Sequence, residues 1–91
     1  MDSAYLALEN DKIIENSPGI AKDFFALGLI SKKAGLNTEA FDFFIQSYLI
    51  YKVLNLKDNV IKVVTYIIET GEILNLGDEL KEYRQILKSL E

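Results

Sequence analysis

Histidine, cysteine and tryptophan are all missing from this 91-residue chain, and proline occurs once. Without histidine the commonest general base is gone, and with it the Ser-His-Asp and Cys-His constellations. The same absence removes the Glu-x-x-His pairs on which carboxylate-bridged di-iron centres in helical bundles depend. Without cysteine there is neither a thiolate zinc site nor a disulfide framework, and secreted domains of this size usually carry such staples. The expected compartment is therefore the cytoplasm. No glycine-rich phosphate loop is present. No apolar run reaches the length of about 18 residues that a membrane span needs. The N-terminal Met1-Asp2-Ser3 does not start a basic-then-apolar leader, and Asn-x-Ser/Thr acceptors are absent.

Positive charge is also scarce. Ten Lys and Arg stand against fourteen Asp and Glu, a net charge of −4. Nucleic-acid binding rests on clustered cations that neutralise phosphates, so no nucleic-acid partner is expected. Glu69 with Glu72, and Asp78 with Glu79 and Glu82, stand at helical spacing. They read as solvated faces rather than acid–base or cation sites. Neither catalysis nor a cofactor nor a metal is expected.

What is present in excess is apolar surface, 49 % of residues. A chain of this length forms one domain and buries only roughly 60 to 65 % of its unfolded surface. Some apolar surface should remain open. The apolar positions also recur. At an offset of 43, Tyr5-Leu6 falls on Tyr48-Leu49, Phe24-Phe25 on Ile67-Ile68, Gly28 on Gly71 and Ile30 on Ile73. The offset then drops to 42, pairing Gly35 with Gly77, Phe44 with Ile86 and Ser47 with Ser89. Recurrence on this scale marks stacked supersecondary units, each burying its apolar face on a neighbour.

Punctuation divides the chain into five helices, at 3–14, 18–34, 38–54, 58–75 and 78–90. Ser17-Pro18-Gly19 offers an N-cap followed by proline at the first helical position. Gly35 suits a left-handed helix end, and Lys32 and Lys33 face that end's negative dipole. Asn37-Thr38, Asp58 and Asp78 offer the following caps. Val60 to Ile68 has a strand-like composition, but the chain holds no second strand to pair with it, and its position in the recurrence makes it helix. The last helix is one-sided, with Leu80, Tyr83, Leu87 and Leu90 opposite Lys81, Arg84, Gln85 and Lys88. That pattern suits the end of a stack.

Phe24-x-x-Leu27-Gly28, Gly35, Ala40-x-x-x-Phe44 and Ser47 follow a spacing that resembles the tetratricopeptide repeat in a longer-period form. The resemblance is good over residues 21–54 and degenerate over 64–90. It implies a single all-α domain, 1–91, built of antiparallel helix hairpins at 18–54 and 58–90 in a short right-handed stack. Residues 3–14 would be the trailing helix of a preceding unit, with Ala4, Ser47 and Ser89 in equivalent small positions. Gly28, Ala40 and Ser47 let two backbones approach while Phe24, Leu27 and Phe44 fill the crossing. Glu82 stands where Ala40 has its counterpart, so the second hairpin should be splayed. The usual proline between repeats is absent.

The resemblance further implies a concave groove lined by the leading helix of each hairpin. Lys22, Phe25, Leu29 and Lys32 would come from the first, and Thr65, Ile68, Glu72 and Asn75 from the second. An apolar floor with a mixed polar rim suits a partner peptide or the apolar face of a partner helix. The Lys/Asn/Arg set with which some family members clamp a C-terminal carboxylate is not reproduced. The alternative is structural: a homodimer or larger assembly that buries the apolar surplus. Tyr48 and Tyr51, aromatic rings with polar tips on an already apolar helix, are the expected self-association contacts.

Overall fold

The computed structural model describes the backbone of residues 3–90 and the side chains of residues 18–90. Among these residues it is all-helical, with four helices: α1 (Ser3–Lys33), α2 (Asn37–Val53), α3 (Lys57–Ile73) and α4 (Gly77–Leu90). Each packs mainly on its neighbour in sequence, α1 on α2, α2 on α3 and α3 on α4. Aromatic contacts also join alternate helices. Phe25 of α1 meets the Tyr66 ring of α3 edge-on at 5.3 Å, and Tyr48 of α2 meets Tyr83 of α4 at 5.6 Å. The result is two layers, α1 with α3 and α2 with α4.

The three connections are the same structure. Gly35, Asn55 and Asn75, spaced twenty residues apart, take positive φ of 83°, 59° and 61°. At each, the next amide reaches back to the carbonyl five residues earlier: Leu36 to Ser31, Leu56 to Tyr51, Leu76 to Gly71. Gly35, Asn55 and Asn75 themselves donate to Lys32, Lys52 and Glu72. This is the hydrogen-bond pair of a Schellman helix end. Glycine and asparagine occupy the left-handed position because it crowds other side chains. The leucine that follows is already the last residue before the next helix. Leu36 and Leu56 fill the N-cap positions with no side-chain cap bond. Asn37, Asp58 and Asp78, expected as caps, lie inside the first turns instead, where Asp58 and Asp78 still favour the positive dipole end.

Two boundaries differ from those expected. Helices 3–14 and 18–34 are one, with Pro18 in its interior. A proline removes one helical hydrogen bond and crowds a carbonyl, but it does not reverse the chain. At each of the three reversals among the described residues a left-handed residue does that, and Gly19 is not in that conformation. The side chains of residues 3–17, and the equivalence expected of Ala4, lie outside the described residues. Second, Gly77, aligned with Gly35 through the offset of 42, begins α4, and the residue conformationally equivalent to Gly35 is Asn75.

The core runs through all four helices. Val63, Val64 and Ile67, from the strand-like segment, are fully buried on α3 together with Phe44 of α2 and Leu80 of α4. Burial in α3 outweighs the weak β preference of these residues. Phe44 stacks on Tyr66 at 5.3 Å and tilts against Phe25 at 5.6 Å. Small residues set the crossings. A Cβ added to Gly28 would lie 2.5 Å from the Phe44 ring, and one added to Gly71 would run into Leu80. Ala40 and Ser47 are fully buried, and the Ser47 hydroxyl donates to the Ala21 carbonyl of α1 at 2.8 Å. Glu82, expected to splay the second hairpin, is exposed, because Leu80 takes the interior position of α4.

Candidate partner-binding groove

Between α1 and α3 runs a groove of about 420 Å³. Phe25 and Leu29 of α1, Tyr51 of α2 and Val63 of α3 give it an apolar floor; Lys22, Asn59 and Lys62 stand around it. Phe25 is held from behind by Phe44 and Tyr66 and capped from the front by Lys62, whose Nζ lies 5.1 Å from the ring centroid. An ammonium at that distance is attracted to the ring face. Asn59 and Tyr51 line the groove together. Burial pushes the Tyr51 phenol above its ordinary pKa, and the polar Asn59 side chain opposes that shift. The phenol is therefore a neutral polar group at the groove wall near neutral pH.

Below the groove an ion pair ties the two helices. Lys32 Nζ is 2.5 Å from Glu69 Oε1 and 5.2 Å from the centroid of the Tyr66 ring. Glu69 and Glu72 both have cationic partners: Glu69 holds Lys32, and Glu72 accepts from Arg84 of α4 at 3.0 Å. Among the described residues no cluster of three or more metal-ligating side chains forms.

Of the eight residues expected to line a groove, Lys22, Phe25 and Leu29 are together in it. Lys32 pairs with Glu69 instead of lining it. None of the four expected from the second hairpin lines it. Thr65 is exposed and bonded to the Ile61 carbonyl, Ile68 packs against the core, Glu72 faces α4, and Asn75 is the turn residue. For Ile68 and Asn75 the reason is register. Through an offset of 43, Lys22 leads to Thr65; through the spacing of twenty seen in the turns, it leads to Lys62, and Leu29 leads to Glu69. Lys62 and Glu69 are the residues that do face α1. The signal was Leu54-Asn55-Leu56 followed twenty residues later by Leu74-Asn75-Leu76.

Tyr48 and Tyr51, expected on a surface between copies, are interior side chains, 4 % and 7 % exposed. Tyr48 is packed edge-on against Tyr83, so a contact between copies cannot rest on these rings without first unpacking them. The phenol of Tyr83 is raised above its ordinary pKa, first by burial and then by the neighbouring Tyr48, Glu82 and Glu79. A second, larger cavity of about 570 Å³ lies on the α2/α4 side, among Tyr48, Lys52, Val60, Ile86 and Leu90.

No protein-family model matches the chain, and no curated protein or solved structure matches it significantly. Among the described residues no helix is long and apolar enough to cross a membrane.

Proposed function

We propose that this chain is a non-catalytic protein-interaction module of tetratricopeptide-like form, which receives a partner peptide or the apolar face of a partner helix in the groove between α1 and α3. The observation that carries the reading is the floor of Phe25, Leu29 and Val63 bordered by Lys22 and Lys62. Apolar anchors seat in such a floor, and the two ammonium groups favour carboxylates beside them. The hairpin packing, with Gly28 beneath Phe44 and Ala40 and Ser47 buried, supports the family likeness. The test is a pull-down with the parent chain and with a Lys22→Glu, Leu29→Glu variant, both at exposed positions. A partner held by the parent should be lost from the variant while its helical circular dichroism is unchanged. Retention of every captured protein by the variant would place binding elsewhere.

A second reading, self-association, is favoured by the apolar side chains left open at the outer end of the first hairpin. Leu27 is 43 % exposed and Leu36 48 %. Beside them the rings of Phe24 and Phe43, both half-buried, stand 6.3 Å apart.

A further inference from the structure

The two ends of the helical array carry opposite chemistry. Because the turns recur every twenty residues, a residue of α2 and the one forty positions on in α4 face the same way in their hairpins. The face with which α2 meets the second hairpin bears Phe41, Phe44, Ile45 and Tyr48. Their counterparts in α4 are Lys81, Arg84, Gln85 and Lys88, all exposed. At the other end, the first hairpin shows Asp23, Phe24 and Phe43 where the second turns Val63, Val64 and Tyr83 inward. There α1 and α2 enclose a hollow of about 480 Å³ lined by Phe24, Phe43, Glu39, Asp42 and Gln46. No cation among the described residues pairs with Asp23, Glu39 or Asp42.

We propose that a second copy of this chain docks head-to-tail, its basic α4 face seated on the acidic, aromatic end formed by α1 and α2. This rests on the self-association reading and gives it a surface and a direction. The backbone relation that joins the first hairpin to the second is repeated between the second hairpin of one copy and the first hairpin of the next. In that register the Tyr48–Tyr83 contact is replaced by Lys88 over the Phe43 ring, an ammonium–aromatic pair. Glu39, Asp42 and Gln46 stand one and two turns apart on α2, the spacing of Lys81, Arg84 and Lys88 on α4, so opposite charges face each other along the seam. The pairs that Lys81 and Arg84 already make, with Asp78 and Glu72, are exposed. Exposed pairs contribute little and exchange readily. A head-to-tail contact uses two different surfaces, so it does not close on itself at two copies.

Sedimentation velocity on the full chain tests this, read against salt. The weight-average mass should grow with concentration past that of a dimer. Raising ionic strength from about 0.01 M to about 1 M, which shortens the screening length from roughly 30 Å to roughly 3 Å, should weaken association at least about tenfold. Glu39→Lys, Asp42→Lys and Lys81→Glu, Lys88→Glu variants should each be monomeric alone, and a mixture of the two should associate again. A parent chain that stays monomeric at low salt would overturn both this proposal and the self-association reading. Association that salt does not weaken, or that mixing the variants fails to restore, would overturn the head-to-tail seam alone.

Discussion

In the first hairpin the glycine that receives a large side chain lies two helical turns ahead of the left-handed residue, Gly28 before Gly35. In the second it lies one turn ahead, Gly71 before Asn75. The turns share the same hydrogen bonds, yet the space at the crossing is filled differently. Near the first turn stand Ser31 and Ala40, both small and buried, and the bulk of Phe44 is accommodated further along by Gly28. Near the second, the bulk of Leu80 sits at the position of Ala40, and glycine at the position of Ser31 admits it. A hairpin of fixed geometry thus demands that small face large somewhere along its seam, and leaves open at which turn.

Replacing Gly71 by leucine attacks that arrangement most directly. It should cost about 2–4 kcal/mol, since Leu80 is fully buried and cannot swing into solvent. Gly28→Leu should cost a similar amount, because the Phe44 ring is equally enclosed. Urea unfolding measures both. Combining Gly71→Leu with Leu80→Ala moves the bulk to the other helix and should recover a large part of the loss. A double variant no better than the worse single would mean that the seam does not tolerate exchange of small and large residues.

The turns offer a milder contrast. Gly35→Ala places a Cβ at φ 83° and should cost about 1–2 kcal/mol. Asn55→Gly and Asn75→Gly keep the left-handed conformation open and should shift the unfolding midpoint little, about 0.5 kcal/mol either way. If Gly35→Ala proves as harmless as these, the three turns do not share one conformation in solution.

The smallest effect separates Tyr83 in the second hairpin from its counterpart Phe43 in the first, which cannot ionise. The folded-state pKa of Tyr83 is raised, so the unfolded chain releases its proton first as pH climbs. The stabilisation is complete below the unfolded value of about 10 and is lost as pH rises through the folded one. Tyr83→Phe should therefore flatten the decline in thermal midpoint above about pH 10 and leave it unchanged at pH 7. An identical alkaline decline in parent and variant would assign it to Tyr51 or another group.

Helix content and three of the reversals were legible because Gly35, Asn55 to Asp58 and Gly77-Asp78 interrupt otherwise continuous apolar patterning. The crossing at Gly28, Ala40 and Ser47 was legible for the same physical reason that it exists, since only small side chains admit close backbones. The register of the second hairpin was not. Gly28 and Gly71 are both crossing glycines but sit three residues out of equivalence, and an alignment anchored on them carries that shift into every position of α3. Hence Lys22 leads to Thr65 where Lys62 stands, and Phe25 leads to Ile68 where Thr65 stands. Pro18 misled for a related reason. Ser-Pro-Gly is chemically a good helix start, but a chain reverses only where a left-handed residue turns it.

Neighbour-to-neighbour packing has a kinetic consequence. Nearly every interface joins helices linked by a three-residue turn, so most native contacts close short loops, the condition for rapid folding. It also grades the resistance of the chain to local opening. The α3 backbone, flanked by α2 and α4 and carrying Val63, Val64 and Ile67, should exchange its amide hydrogens most slowly. The α4 amides, packed mainly on α3 and with Leu80 the single fully enclosed side chain of that helix, should exchange first among the last three helices.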